Sequence, residues 1–211
     1  MTRIDSQTWA VVPAKPFAEA KSRLGTVLSD EDRSVLAQRL LQRTVEVLLQ
    51  VAGLAHIAVV SRDSAALRLA RELGVEALAE QGSGLNPALE FASEQVLALG
   101  ASCLLVVPAD MPMLSPSDVR AVLEAGNEAA MAIAHDRYHS GTNALLLRPP
   151  GVIPFAFGRD SFNLHLGLAR AVGIEPAVVS RPGLAFDVDY PGDLEELEIA
   201  MPDQWVGTKP G

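Results

Sequence analysis

Six ionisable side chains in three short stretches could handle a highly charged substrate. The stretch "WAVVPAKPFAEAKSRLG" places Lys15, Lys21 and Arg23 within nine residues, directly after an apolar run and with no acidic run beside them. A long, Pro-punctuated loop with three cations can wrap a polyphosphate and offset its charge, although ordinary solvated surface cations give the same spacing. In "VVPADMPML", Asp110 follows a buried run, where a carboxylate is costly unless it has a hydrogen-bonding or metal partner. In "FDVDYPGDLEEL", Asp187 and Asp189 share one face by alternation while Val188 points the other way, and Asp193 fits the N-terminus of the last helix. Mg²⁺ commonly takes one or two carboxylates and completes its shell with water and substrate phosphates, so two such sites suffice for a metal-assisted phosphoryl reaction.

Two further stretches have the form of anion cradles. "QGSGLNPALEFA" is a glycine-bearing loop running into a helix at about Asn86, where Gly82 and Gly84 allow close backbone approach. A plain strand-to-helix connection reads the same way. "HSGTNALLL" with "FGRDSFNLHL" sets Thr142 before a strand and Gly158 and Ser161 before a helix, although spacing alone makes Ser161 or Asp160 a helix cap. Neither G-x-G-x-x-G nor G-x-x-x-x-G-K-[ST] occurs, which removes the dinucleotide fingerprint and the P-loop.

The elements that position these residues follow from hydrophobic period. Short β-rich runs ("TWAVVPA", "HIAVVS", "VEALAE", "CLLVVPAD", "AAMAIAH", "TNALLLRPP") alternate with segments of helical period. The helices are "SDEDRSVLAQRLLQRTVEVLLQVA" capped by Ser29, "SAALRLARELG" closed by Gly74, "NPALEFASEQVLALG", one from about Ser117, "SFNLHLGLARAVG" and "DLEELEIA". This alternation predicts a three-layer α/β/α sandwich with a mostly parallel mixed sheet, "CLLVV" as its central strand, and ligands outside the carboxyl ends of the strands.

Length and composition bound the rest. At 211 residues and 49% hydrophobic, the chain suits a single domain over residues 1–200, with an unperiodic and loose tail over 201–211. A formal net charge of −9 argues against a nucleic-acid surface, while a local cationic pocket for a small anion remains compatible with it. Cys103, the only cysteine, lies in an apolar run and reads as a core thiol, so no intramolecular disulfide is available. With no apolar leader or bilayer-length stretch, a soluble cytoplasmic protein without a membrane partner is expected.

Taken in order from about residue 8 to residue 198, "VPAKPFAEAKSRL", "GLNPAL", "PADMP", "GTNALLL", "FGRDSFNLH" and "DVDYPGDL" resemble the guanylyltransferases that make the deazaflavin redox coenzyme (factor 420) of methanogens and actinobacteria. The resemblance implies the nucleotide-diphospho-sugar transferase (glycosyltransferase A-like, Rossmann-like) fold. It also implies a reaction in which a phosphorylated three-carbon acid attacks the α-phosphorus of GTP and expels pyrophosphate. Phosphoenolpyruvate is the acceptor of bacterial members and 2-phospho-L-lactate of archaeal ones, with phosphoglycerate a third acid of the same shape. By the same resemblance, Lys15, Lys21, Arg23 and Asp110 are catalytic, and Asp110 and Asp189 hold Mg²⁺. Thr142, Gly158 and Ser161 contact phosphoenolpyruvate, and Ala14, Lys15, Gly84, Leu85 and Asn86 contact the nucleotide. The implied partners are GTP, the acid and a downstream deazaflavin-ligating transferase, with a homodimer left open. The chain departs from the family pattern at Ala14, where valine is common, at Met111 for leucine, and at Tyr190 for threonine. A cytidylyltransferase or molybdenum-cofactor guanylyltransferase would share the fold, but the paired acceptor motif "GTNALLL" and "FGRDSF" favours the first reading.

Overall fold

The computed structural model describes residues 7–82, 84–201 and 205. Its centre is a seven-stranded sheet of order β3-β2-β1-β4-β6-β5-β7, built from β1 (Thr8–Pro13), β2 (His56–Ser61), β3 (Glu76–Ala79), β4 (Cys103–Val106), β5 (Met131–His135), β6 (Thr142–Leu147) and β7 (Ala177–Val179). β1 pairs in parallel with β2 and β4, and β2 with β3, whereas β6 runs antiparallel to both β4 and β5. Reversal of β6 has a consequence for function: its first residue, Thr142, lies opposite His135 at the end of β5 and so at the same edge as the carboxyl ends of the other strands.

Helices cover both faces. They are α1 (Asp30–Leu49), α2 (Ser64–Glu72), α3 (Leu85–Ala98), α4 (Pro116–Glu128), α5 (Ser161–Ala171), α6 (Pro182–Ala185) and α7 (Pro191–Ala200). Strict alternation in β1 sends Ala10 and Val12 into one core with Leu41, Val45, Ala66 and Val119 of α1, α2 and α4. Trp9 and Val11 go into the other core, with Leu89 and Val96 of α3 and Phe162 of α5. β4 is apolar on both sides for this reason: Leu105 serves the first core and Leu104 and Val106 the second. Each such side chain contributes about 1.5–3 kcal/mol by leaving water.

Local chemistry sets the helix ends. Ser29 caps α1 by accepting the Asp32 N–H at 3.1 Å, and Asp30, Glu31 and Asp32 complement the helix dipole. Ser115 and Asp118 form a capping box at α4, which starts at Pro116. α3 begins at Leu85, one residue ahead of the expected Asn86, because Gly84 turns the chain with φ 108°. Two elements were not foreseen: β7, three residues on the sheet edge, and α6, a single turn. Of the tail expected at 201–211, only Met201 and Trp205 lie within the described residues. Trp205 is buried in a third cluster with Leu24, Leu36, Val188, Leu194 and Leu197.

Candidate active site

The loop after β1 is fastened at several points. The Ala14 N–H donates to the Val60 carbonyl at 3.0 Å, and the Ser61 hydroxyl donates to the Ala14 carbonyl at 2.7 Å. Asp63, which caps α2 through the Ala65 N–H, also accepts the Phe17 N–H at 2.8 Å. Farther along, Arg33 of α1 donates to the Ala20 carbonyl at 3.0 Å, and fully buried Leu24 anchors the far end. Between two short 3-10 turns, Phe17–Glu19 and Ser22–Leu24, sits Lys21 in the left-handed region with φ 51°. A non-glycine residue there carries roughly 1–2 kcal/mol of strain, which the surrounding anchors hold in place.

That backbone aims the Lys21 side chain at the two acidic stretches. Its Nζ donates to Asp110 Oδ2 at 3.2 Å and to Asp189 Oδ1 at 3.3 Å. Arg23 donates to the other oxygen of Asp189 at 2.7 Å and stacks over the Tyr190 ring, 5.0 Å from its centroid. The two carboxylates come from separate stretches of the chain but are tied by backbone, since the Val188 N–H donates to the Asp110 carbonyl at 3.1 Å. Asp193 braces the second stretch by accepting the N–H groups of Asp189 and Tyr190, and is itself held by Arg137 at 2.9 Å. Burial by itself would lower the Lys21 pKa, yet the charges and hydrogen bonds of Asp110 and Asp189 leave it raised. Asp187 is pushed up to about 6, first by burial and then by the neighbouring Asp110 and Asp189 charges.

Lys21, Asp110 and Asp189 border a cavity of about 320 Å³, also lined by Ala14, Lys15, Phe17, Gly84, Leu85, Arg62 and Glu80. Of the expected nucleotide-contacting residues, Ala14, Lys15, Gly84 and Leu85 thus share one cavity with Lys21, Asp110 and Asp189. Asn86 has a different surrounding: its amide donates to the Phe157 carbonyl at 3.1 Å and accepts the Phe157 N–H at 2.8 Å. It clips the start of α3 to the loop that leads into Gly158. Arg23 is more exposed than Lys21, 58% against 9% for the side chain, and reaches the cavity's edge through Asp189.

Thr142, Gly158 and Ser161 also come together. Ser161 Oγ accepts the Thr142 N–H at 2.9 Å, so neither Ser161 nor Asp160 caps α5 with its side chain. Gly158 has φ 132°, open to glycine and strained for other residues. His165, one turn into α5, accepts the Ala156 N–H on Nε2 at 3.0 Å and sits 3.0 Å from Thr142 Oγ1 through Nδ1. Full burial lowers its pKa to about 4, so the ring is neutral at pH 7. With Nε2 accepting, the single ring proton is on Nδ1 and donates to Thr142, whose own hydroxyl proton is left for another acceptor.

Asp63 and Arg137 give no motif of their own, since Asp63 acts by holding the Phe17 backbone and Arg137 by pairing with Asp193 and Glu196; Asp193, expected at the N-terminus of the last helix, caps α7 there through the Tyr190 N–H. Among the described residues no group of three or more His, Cys, Asp or Glu side chains forms a metal cluster. The two carboxylates that converge on one cation, Asp110 and Asp189, do match a metal that takes one or two carboxylates and draws its remaining ligands from phosphate and water. No helix among the described residues is long and apolar enough to cross a membrane.

Comparison with known proteins identifies the family. A family model described as "Guanylyl transferase CofC like" matches residues 8–205. The chain is 49% identical over 193 residues to a phosphoenolpyruvate guanylyltransferase of Rubrobacter xylanophilus, covering 91% of this chain and 94% of the relative. It is 40% identical over 190 residues to a phosphoenolpyruvate guanylyltransferase of Sphaerobacter thermophilus, covering 90% and 92%. A crystal structure described as a nucleotide-diphospho-sugar transferase, from Desulfovibrio desulfuricans G20, superimposes with a TM-score of 0.75 over 94% of this chain and 89% of that one. At 19% identity that likeness carries the fold alone.

Proposed function

This chain belongs to the CofC-like guanylyl transferase family, and from that premise we propose that it condenses GTP with phosphoenolpyruvate to give enolpyruvoyl-diphospho-guanosine and pyrophosphate. It is a nucleotidyltransferase, a class that generally works with a divalent metal. The single observation that carries the site assignment is the convergence of Lys21 on both Asp110 and Asp189 beside a cavity that Lys15, Gly84 and Leu85 also line. Phosphoenolpyruvate is preferred to 2-phospho-L-lactate and phosphoglycerate because the relatives at 49% and 40% identity are phosphoenolpyruvate guanylyltransferases.

The chemistry follows from charge. The second pKa of a phosphate monoester lies near 6, so the acceptor is already a dianion at neutral pH and needs no strong base. An oxygen of that phosphate attacks the α-phosphorus of GTP, the bond from the α-phosphorus to the bridging oxygen breaks, and pyrophosphate leaves with the electron pair. The obstacle is the approach of two anions, which makes positioning and charge neutralisation the main tasks. Lys15, Lys21 and Arg23 supply cations at the triphosphate, and Asp110 and Asp189 are the residues that would hold Mg²⁺. Bound there, Mg²⁺ would supply further positive charge to the phosphate oxygens. Thr142 offers its hydroxyl to the acceptor, oriented by His165, and Ser161 fixes the Thr142 backbone while Gly158 lets the chain approach. The α3 N-terminus, from Gly84, takes the guanosine side. A cytoplasmic location suits an enzyme that consumes GTP, and its product, an activated diphosphate, suits transfer onto a deazaflavin alcohol by a second enzyme.

Pyrophosphate release measured with GTP, ATP, CTP and UTP, each with phosphoenolpyruvate, 2-phospho-L-lactate or 3-phosphoglycerate, tests this reading. The expected result is release with GTP and phosphoenolpyruvate well above every other pair. Release with CTP in preference to GTP would return the protein to the cytidylyltransferase alternative.

A further inference from the structure

We infer that the Lys21 ammonium is the resident counter-ion of the Asp110–Asp189 pair, and that it gives up this seat to the divalent cation and moves onto the nucleotide phosphates, so that metal and GTP bind as a coupled pair. The inference rests on the assignment of Asp110 and Asp189 as metal ligands. Its new content is that the free protein resists metal by itself.

Four observations carry it. One nitrogen lies 3.2 Å from Asp110 Oδ2 and 3.3 Å from Asp189 Oδ1, so a single positive charge already occupies the space between the two carboxylates. An ammonium and a divalent ion cannot share that position, because their charges repel at contact distance. The Lys21 side chain is 9% exposed, while Asp110 and Asp189 are 29% and 35% exposed, so the carboxylates keep an open side from which a cation can enter. Lys21 also lines the cavity, and its flexible stem can carry the ammonium from the carboxylates into that space. Finally, Arg23 grips Asp189 through Oδ2, the oxygen that Lys21 does not use, so Asp189 stays oriented when the ammonium leaves. Metal alone would displace the ammonium toward the single carboxylates that line the cavity, Glu80 and the Arg62-paired Glu19. A triphosphate offers a far larger negative charge, and each ligand therefore favours the other.

The test measures Mn²⁺ binding to the nucleotide-free protein by electron paramagnetic resonance, in wild type, Lys21→Met and Lys21→Gln. Both variants are expected to bind Mn²⁺ at least tenfold more tightly than wild type, and a further Asp110→Asn change in the Lys21→Met background is expected to abolish the gain. Folded variants that bind no more tightly than wild type overturn the exchange. A gain that survives Asp110→Asn overturns instead the assignment of the metal ligands on which it rests. A measurement on the wild type alone guards against variants that fail to fold: reductive methylation followed by peptide mass spectrometry should label Lys21 much more slowly than Lys15, and saturating Mn²⁺ should accelerate Lys21 several-fold. An unchanged Lys21 rate with Mn²⁺ bound contradicts the proposal.

Discussion

Asp193 Oδ2 accepts the backbone N–H of Asp189 at 2.8 Å, so a carboxylate outside the cavity fixes the position of one that borders it. The same oxygen takes the Tyr190 N–H at 2.7 Å, and Arg137 neutralises the other. Asp193→Ala removes both bonds and leaves Arg137 with Glu196 as its remaining carboxylate partner. The expected loss is about 1.5–3 kcal/mol of stability in urea unfolding, accompanied by at least a tenfold fall in kcat. Asp193→Asn, which keeps an acceptor oxygen, should lie between. Full activity in a destabilised Asp193→Ala protein would show that Asp189 needs no such brace.

The cationic loop should separate nucleotide from acceptor. Lys15→Ala, Lys21→Ala and Arg23→Ala are each expected to impair the use of GTP far more than that of phosphoenolpyruvate in steady-state kinetics. Arg23 should have the smallest effect, because its side chain is exposed and already paired with Asp189. Unchanged GTP kinetics in all three variants would leave the loop as ordinary solvated surface.

On the acceptor side, Thr142→Val replaces a hydroxyl by a methyl of similar shape. Losing one hydrogen bond to a charged group costs about 1.5–3 kcal/mol, or roughly 10- to 150-fold in phosphoenolpyruvate affinity. Calorimetry with GTP and Mg²⁺, followed by phosphoenolpyruvate on the loaded protein, should register that loss in the second titration only. Equal losses for both ligands would mean a general structural defect.

His165 gives the protein an acid-sensitive link. Burial lowers its folded pKa from 6.5 to about 4. Between those values the unfolded chain binds a proton that the folded chain excludes. Stability is therefore fully present above about pH 6.5 and falls as the pH drops toward 4, by up to about 3 kcal/mol from this group. Denaturant unfolding of wild type and His165→Gln at pH 7.5, 6 and 5 should show a steeper acid loss in wild type. Identical slopes would place the acid sensitivity elsewhere.

The main strands and helices were legible because their signals are local: alternation in β1, apolar character on both sides of β4, Ser29 ahead of an acidic first turn. β7 was not, since three edge residues carry too little period to stand out, and α6 is a single turn. The acidic residues at strand ends were visible as costly placements. Between Asp187 and Asp189, which share a face by alternation, the resemblance favoured Asp189; in the structure Lys21 and Arg23 both reach Asp189. The convergence itself could not be read from sequence, because Lys21 is 89 residues from Asp110 and 168 from Asp189. Asn86 has a structural task that sequence did not suggest: the resemblance gave it a nucleotide contact, and in the fold both ends of its amide also hold the Phe157 backbone, a partner 71 residues away.

The most direct measurement is mass-spectrometric detection of the product from GTP, phosphoenolpyruvate and Mg²⁺, with wild type and Asp110→Asn side by side. Wild type should form enolpyruvoyl-diphospho-guanosine and an equal amount of pyrophosphate. Asp110→Asn, folded but without the charge assigned to the metal in this proposal, should form less than about a tenth as much per unit time, a difference of at least roughly 1.4 kcal/mol in the barrier. No guanylylated acid from wild type, or equal rates from both proteins, would contradict the assignment of this site to guanylyl transfer.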